Sequence, residues 1–181
     1  MDLSAINWTQ VALVCGLLCC GGFILSVVLT FVGGAFEVVF GLLSAIGDVL
    51  SGARVLDLFA GTGALGLEAL SRGAARVTFV DDGQAARALL RQNIARMQAM
   101  GVTDVYRRDA TRMGPNRGAG FGLVFLDPPY GMGLGERALA ACAEGGWLRN
   151  GALVVVEEDA EAEFAMPEGF EEIDRRAYGG T

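Results

Sequence analysis

A tetrapeptide with the composition of a reactive site directly follows the apolar run at 121–126, and it consists of Asp127, Pro128, Pro129 and Tyr130. Each proline fixes its own φ and has no N–H donor, so the turn is stiff and nearby carbonyl groups stay free to accept hydrogen bonds. The Asp127 carboxylate can accept from an exocyclic amino group, and the Tyr130 ring can stack on a planar base. The tetrapeptide therefore predicts an enzyme that acts on the –NH2 of a nucleobase. The alternative is a strand-ending turn with a surface tyrosine.

An earlier motif suits a cofactor that contains adenosine. Gly61, Gly63 and Gly66 have the spacing G-x-G-x-x-G directly after a short apolar segment at 54–58. Glycine at such a turn lets the backbone approach a ligand closely before it enters a helix. Asp81 lies 20 residues after Gly61, where a carboxylate can accept hydrogen bonds from ribose hydroxyls. On spacing alone, the motif fits a dinucleotide as well as any other adenosine-bearing cofactor.

The carboxylates around the glycines favour one cofactor. Asp57 precedes Gly61 by four residues, where it would repel a pyrophosphate but attract the ammonium of an amino-acid moiety. The chain has no histidine for hydride transfer, so S-adenosylmethionine, with its sulfonium and α-amino groups, fits this acidic site better than a nicotinamide. Phe59 in the same loop and Asp109 at the end of a later strand complete the predicted cofactor site. For Asp109 a helix N-cap is an equal alternative, and Asp57 could instead order the loop.

The two motifs predict direct methyl transfer if they lie at the same edge of a sheet. In an open parallel sheet the first and fourth strands are neighbours where the strand order reverses, which would place Asp127 beside the glycine turn. Hydrogen bonds from the amino group to the Asp127 carboxylate and the Pro128 carbonyl would aim the nitrogen lone pair at the methyl group, so most of the gain would be positioning. Tyr130 would replace the stacking that an unstacked base loses.

Alternating strand and helix patterns from about residue 51 predict an α/β fold with a mostly parallel sheet and helices on both faces. Apolar segments predict strands at 54–58, 76–80, 102–107, 121–127, 152–157 and 171–177. Helical spacing of apolar residues predicts helices at 64–71, 84–100 and 136–143. Residues 112–120 are a loop rich in glycine and arginine.

The first 50 residues differ in composition from the rest. An uncharged run of 22 residues at 11–32 is long enough to cross a bilayer as a helix. It has no basic segment before it and no clear cleavage site, so we expect a membrane anchor rather than a removed signal peptide. An unusual buried segment, or a sequence foreign to the domain, is the alternative. The predicted organisation is an apolar segment at 1–34, a connecting apolar helix at 35–50 and a catalytic domain at 51–181.

Charge is distributed unevenly along the chain, whose formal net charge is −7. Residues 1–50 have three acids and no base, residues 51–156 have twelve arginines and nine acids, and residues 157–181 have nine acids and two arginines. Because the basic excess follows the apolar run, the positive-inside rule predicts a cytoplasmic catalytic domain behind the membrane segment. The four cysteines have no zinc-ligand spacing, so no metal is expected.

Longer stretches around both motifs resemble a known family. The segments VLDLFAGTGALGLEALSRGA (55–74), FGLVFLDPPYGMGLGERAL (121–139) and GGWL (145–148) are similar to the RsmD-type bacterial 16S rRNA guanine-N2 methyltransferases, over about residues 47–181. The resemblance implies a Rossmann-like class I methyltransferase fold, S-adenosylmethionine as cofactor, and a guanine amino group in 16S rRNA of the small ribosomal subunit as target. It also implies a cofactor site and a base site, formed respectively by Asp57, Gly61, Gly63, Asp81 and Asp109, and by Asp127, Pro128, Pro129 and Tyr130.

The chain departs from the family pattern in two places. An apolar, base-free stretch stands where the family has a basic RNA-gripping arm, and the chain ends where the family's last strand would begin. RNA contact would then depend on a set of arginines that could equally be a solvated loop, namely Arg107, Arg108, Arg112 and Arg117. The competing functions are methylation of adenine N6 or of another amino group, and an inactive membrane-tethered remnant or chimera.

Overall fold

The computed structural model describes residues 47–158 and 162–175 of the 181-residue chain. Helices and strands alternate within these ranges: α1 at Gly47–Leu50, β1 at Arg54–Leu58, α2 at Ala64–Ser71, β2 at Arg76–Asp81, α3 at Gln84–Arg96, β3 at Thr103–Arg107, β4 at Phe121–Leu126, α4 at Leu134–Glu144 and β5 at Leu148–Val156. Short 3₁₀ helices at Met100–Val102 and Ala110–Arg112 flank β3.

The described strands form one parallel sheet in the order β3-β2-β1-β4-β5. The chain runs outward from β1 to β3 and then crosses back to β4 on the other side of β1. Four of the five residues of β1 are buried, as expected for a central parallel strand covered on both faces. The predicted α/β class and the predicted pairing of the first and fourth strands are confirmed.

Helices cover both faces of the sheet. Gly66 of α2 faces Val77 and Phe79 of β2, whereas Leu139 of α4 belongs to the buried cluster around Leu56. Leu56 pairs with Thr78, and successive strand residues point to opposite faces, so α2 and α4 lie on opposite faces. Right-handed crossovers explain this, because the chain moves in one direction from β1 to β3 and in the other from β4 to β5.

Gly66 allows α2 to approach the sheet closely. A Cβ atom at this position would lie 2.4 Å from Cε1 of Phe79 and 2.7 Å from Cγ1 of Val77. Both neighbours are fully buried on a central strand, so any side chain would push the helix away from the sheet. The third glycine of the motif therefore serves helix–strand packing.

Two predicted elements have different ends in the structure. The predicted helix at 84–100 stops at Arg96 because Gln98 adopts a φ of 56° and the Ala99 N–H donates to the Ile94 carbonyl at 3.0 Å. This closes the helix before Gly101. Strand β5 begins at Leu148 rather than at 152, because a shift in its register with β4 lets the segment before the shift pair as well.

The predicted sixth strand at 171–177 is wrong over its described part. Residues 171–175 form no strand, and all five are exposed. Ile173 is the one apolar residue among them and is 73% exposed, so the segment has no apolar face to pack on the sheet. Glu172 and Arg175 pair with each other at 2.7 Å instead.

The predicted span at 11–32 and residues 35–46 of the predicted connecting helix lie outside the described residues, so membrane anchoring stays a prediction. Of the helices in the described ranges, none is both long and apolar enough to cross a bilayer. Across the same residues, no group of three or more histidine, cysteine, aspartate or glutamate side chains is arranged to hold a metal ion.

Candidate active site

The carboxyl ends of β1 and β4 bring the two sequence motifs to one edge of the sheet. Leu58 and Leu126, the last residues of these strands, are paired neighbours, so Phe59 and Asp127 begin adjacent loops. Paired strands lie about 4.8 Å apart. The strand order reverses between β1 and β4, which is where open α/β sheets bind ligands. The glycine loop and the Asp-Pro-Pro-Tyr turn therefore share one crevice.

The glycine loop at 59–63 turns through left-handed backbone conformations. Phe59, Gly61 and Gly63 have φ values of 57°, 54° and 82°. The Gly63 N–H donates to the Ala60 carbonyl at 2.7 Å, and the Ala60 N–H donates to the Val80 carbonyl at 3.1 Å. Gly61 faces open space, since a Cβ there would have a single neighbour within 4 Å, the Phe59 carbonyl oxygen at 3.9 Å. A ligand can therefore approach the loop backbone at Gly61.

Asp81 ties the glycine loop to the end of β2. Its Oδ2 accepts from the Gly61 N–H at 2.8 Å, and its Oδ1 accepts from the Gly83 N–H at 2.7 Å. The buried Arg87 donates to the main-chain carbonyl of Asp81 at 3.1 Å. Each carboxylate oxygen has a second lone pair. Asp81 can thus hold the loop and still accept hydrogen bonds from ribose hydroxyls.

Asp57 lies beneath the loop. It is 2% exposed, and its Oδ2 accepts from the Gly66 N–H at 2.9 Å, so it orders the start of α2. Burial is the main cause that raises the pKa of Asp57 well above its usual range, and the charges of Asp127 and Asp81 act in the same direction, against the Gly66 hydrogen bond. The carboxylates of Asp81 and Asp127 give this edge of the sheet a negative potential, which favours a cation. Direct contact of Asp57 with a cofactor ammonium stays a prediction.

Asp109 caps the 3₁₀ helix at Ala110–Arg112. Its Oδ1 accepts from the Thr111 hydroxyl at 2.7 Å and from the Thr111 N–H at 2.8 Å. These hydrogen bonds lower the pKa of Asp109. The N-cap interpretation is therefore confirmed, and a contact with adenine stays a prediction.

Two glutamates that the sequence analysis missed hold the Asp-Pro-Pro-Tyr turn. The Tyr130 hydroxyl donates to Oε1 of Glu157 at 2.8 Å, and the Gly131 N–H donates to Oε1 of Glu158 at 2.9 Å. Both glutamates directly follow β5, which pairs with β4. The available signal was a pair of acids directly after an apolar strand that ends at the ligand-binding edge. Tyr130 is fixed at its hydroxyl yet 49% exposed, so its ring remains accessible to a base. Of the two prolines, Pro128 is buried and Pro129 is exposed.

The pKa values of Asp127 and Tyr130 in the turn are raised by their surroundings. Asp127 is exposed as a residue, but protein atoms crowd its carboxylate. This partial desolvation, with a smaller effect of the Glu157 charge, raises the pKa of Asp127 to about 6. Desolvation and then the hydrogen bond to Glu157 raise the pKa of Tyr130 above its usual range. At neutral pH, Asp127 is ionised and accepts hydrogen bonds, and it is a better proton acceptor than an ordinary aspartate.

We predict that the Asp127 carboxyl titrates with a midpoint at about pH 6 and that Glu157→Gln lowers this midpoint, because it removes the neighbouring negative charge. Carboxyl-carbon NMR titration of the labelled protein measures both values. Glu158→Gln is the matched control, since Glu157 is a charge that raises the pKa of Asp127, whereas Glu158 accepts from the Gly131 N–H. An unperturbed midpoint at about pH 4, or an equal shift in both variants, would contradict the assignment.

Comparison with known proteins places the chain among methyltransferase relatives. Residues 36–181 match the family described as Conserved hypothetical protein 95. The chain is 39% identical over 116 residues to ribosomal RNA small subunit methyltransferase D of Escherichia coli K12, a match that covers 64% of this chain and 58% of that protein. It is 33% identical over 128 residues to the protein of the same name from Haemophilus influenzae, with 68% of this chain and 66% of that protein covered. The chain thus spans less than two thirds of the length of these relatives.

Solved structures agree on the architecture. A Haemophilus influenzae protein provisionally named a methylase superposes with a TM-score of 0.71 at 29% identity, covering 80% of this chain and 92% of that one. An Escherichia coli protein provisionally named a methyltransferase gives a TM-score of 0.71 at 32% identity, covering 79% of this chain and 81% of that one. The parallel sheet with helices on both faces is therefore shared with both.

Proposed function

The chain belongs to the Conserved hypothetical protein 95 family, the RsmD-type family predicted from its motifs, and from this membership we propose that it transfers a methyl group from S-adenosylmethionine to ribosomal RNA. The more specific proposal is the exocyclic N2 amino group of a guanine in 16S rRNA of the small ribosomal subunit. One observation carries the proposal: the pairing of β1 with β4 sets the glycine loop beside the Asp-Pro-Pro-Tyr turn.

The described residues fit S-adenosylmethionine, which would supply the methyl group on its sulfonium. The open space at Gly61 accommodates a ligand against the loop backbone, and Asp81 is placed to accept hydrogen bonds from ribose hydroxyls. The negative charge of Asp81 beside the loop suits a molecule that has both a sulfonium and an ammonium. A dinucleotide pyrophosphate would be repelled by the same charge.

On the substrate side, the Asp127 carboxylate and the Pro128 carbonyl would accept hydrogen bonds from the amino group, while Tyr130, held by Glu157, stacks on the base. These contacts would aim the nitrogen lone pair at the methyl group that bound S-adenosylmethionine would supply. The nitrogen then gives up a proton. Asp127, with its pKa raised to about 6, can take that proton and release it to water.

The test combines cofactor binding with product analysis. Calorimetry measures binding of S-adenosylmethionine to the full chain, and mass analysis of nucleosides follows incubation with unmethylated small ribosomal subunits. N2-methylguanosine is the expected product. N6-methyladenosine would replace the guanine proposal by the adenine alternative. No cofactor binding together with no methylated nucleoside would overturn the enzymatic proposal and leave the inactive-remnant alternative.

We expect Asp81→Asn to weaken S-adenosylmethionine binding by about ten- to a hundredfold, because it removes charge-assisted acceptors for the ribose and loosens the Gly61 loop. Calorimetry measures the change, with thermal melting to verify the fold. Asp82→Asn is the matched control, since Asp82 is the exposed neighbour. Equal weakening in both variants would point to a general loss of negative charge and not to ribose recognition.

A further inference from the structure

A groove lined by arginine and aromatic side chains lies on the sheet face opposite α2. Its volume is about 680 Å³, and strand β3, the loop at 113–118 and the start of β1 enclose it. Tyr106 and Trp147 line it together with four arginines, namely Arg54, Arg108, Arg112 and Arg117. The proposed methyl-transfer chemistry uses none of these residues.

Two of the arginines are oriented by aromatic rings and retain unused donors. The Arg54 guanidinium lies 5.2 Å from the centre of the Phe121 ring, and that of Arg108 lies 5.6 Å from the Trp147 ring. One Arg54 N–H donates to the Ala119 carbonyl at 3.3 Å, and one Arg108 N–H donates to the Met113 carbonyl. A guanidinium has five donors. Both groups are therefore held in place with donors left for an anion.

The groove is positively charged, although the chain as a whole is negatively charged. Asp104 is the one carboxylate among its described lining residues, and it is already paired with Arg76 at 2.9 Å. The contact of Arg112 with Asp109 is loose, at 3.8 Å. The arginines thus remain largely unneutralised although the whole chain has a net charge of −7. A basic groove on an acidic chain attracts a polyanion to one place and repels it elsewhere.

We propose that this groove binds a single-stranded segment of the substrate RNA that flanks the target base, a proposal that rests on the proposed function. Arg108 follows β3 at the same sheet edge as the Asp-Pro-Pro-Tyr turn, and Arg54 begins β1 at the opposite edge, about 20 Å away along the strands. The groove therefore leads away from the active site. Phosphates bind the arginines along this path.

Tyr106 provides a stacking surface in the groove. It is 40% exposed, and its ring packs against Trp147 at an interplanar angle of 75° with the ring centres 6.3 Å apart. An exposed aromatic ring in a groove that is also lined by arginines is a combination that binds single-stranded nucleic acid, since phosphates contact the arginines and a base stacks on the ring. Among the four arginines predicted from sequence to contact RNA, Arg107 lies on the other side of β3 from Tyr106 and Arg108. Arg54, which lines the groove, was not predicted.

The phosphate contacts are tested with the double variant Arg112→Gln/Arg117→Gln, whose two arginines are exposed. Fluorescence anisotropy measures the affinity for a labelled single-stranded RNA of about 12 nucleotides at several salt concentrations. Each phosphate contact contributes about 0.7 to the salt slope, so the variant should lose about sevenfold less affinity than the unchanged chain between about 50 and 200 mM salt. Arg91→Gln, an exposed arginine on α3, is the matched control and should keep the full slope.

The stacking contact is tested with Tyr106→Leu, which should lower RNA affinity by about five- to a hundredfold without changing the salt slope. Equal affinities and slopes for the groove variants and the unchanged chain would overturn the proposal. So would displacement of the RNA by equimolar adenosine monophosphate, which would indicate a mononucleotide site. Calorimetry with S-adenosylmethionine distinguishes a failure of this inference from a failure of the proposed function. Normal cofactor binding without groove effects removes this inference alone, whereas a chain that binds neither cofactor nor RNA removes the proposed function as well.

Discussion

Replacing Asp127 with alanine is expected to lower the rate of methyl transfer by about 10²–10⁴-fold while S-adenosylmethionine binding stays nearly unchanged. Asp127 begins the loop after β4, which we assign to the base, whereas Gly61 and Asp81 form the proposed cofactor side of the crevice. Alanine removes both the acceptor that orients the amino group and the group that takes its proton. Single-turnover rates with saturating cofactor, together with calorimetry, measure the two quantities separately.

The pH dependence of stability shows whether replacing Asp127 also damages the fold. The pKa of Asp127 is raised from 3.8 to about 6 in the folded protein, so the folded state holds the proton more tightly than the unfolded state does. Its contribution to stability is present below about pH 4 and is lost as the pH rises through about 6. Asp127→Asn should therefore fold at least as well as the unchanged chain at neutral pH. A loss of cofactor binding and stability along with the rate would show a structural role instead.

The centre of the sheet could be predicted well from the sequence, because its strands can be recognised from short segments of the chain. Strands β1 and β4 are buried on both faces and appear as short apolar runs, and each ends in a motif with unusual residues. The reversal of strand order that pairs them follows from the handedness of the crossovers. The sequence alone therefore predicts that the loops beginning at Phe59 and Asp127 are adjacent.

The contacts that hold the turn could be predicted only in part. Two acids directly after an apolar strand indicate side chains at the ligand-binding edge, but the groups they contact depend on the neighbour of β5 in the sheet. The pairing of β5 with β4 brings Glu157 and Glu158 beside the turn. Arg54 was interpreted as a strand residue, and its place in a groove depends on the loop that carries Ala119. The predicted strand at 171–177 is wrong over residues 171–175, because Ile173 is the one apolar residue there and a single side chain does not make an apolar face.

Gly63→Ala is expected to lower the free energy of unfolding by about 2–5 kcal/mol, through a left-handed backbone cost of about 1–2 kcal/mol and overpacking of about 1–3 kcal/mol. Gly63 has a φ of 82°, and a Cβ atom there would lie 2.3 Å from Cδ1 of Leu90 and 3.2 Å from Cε1 of Phe79. Both neighbours are fully buried, so they have little room to move. Urea denaturation of the variant and the unchanged chain measures the difference.

Gly61→Ala separates the two contributions to that loss. Gly61 has a similar left-handed φ of 54°, but a Cβ there meets nothing closer than 3.9 Å, so its cost should be the backbone part alone, about 1–2 kcal/mol. The open space at Gly61, which would accept the added methyl group without a clash, is the space that we assign to the cofactor. Gly61→Ala should therefore weaken S-adenosylmethionine binding more than it destabilises the chain. Equal stability losses at both positions would show that Leu90 yields to the added methyl, because the crowding that distinguishes Gly63 would then cost nothing.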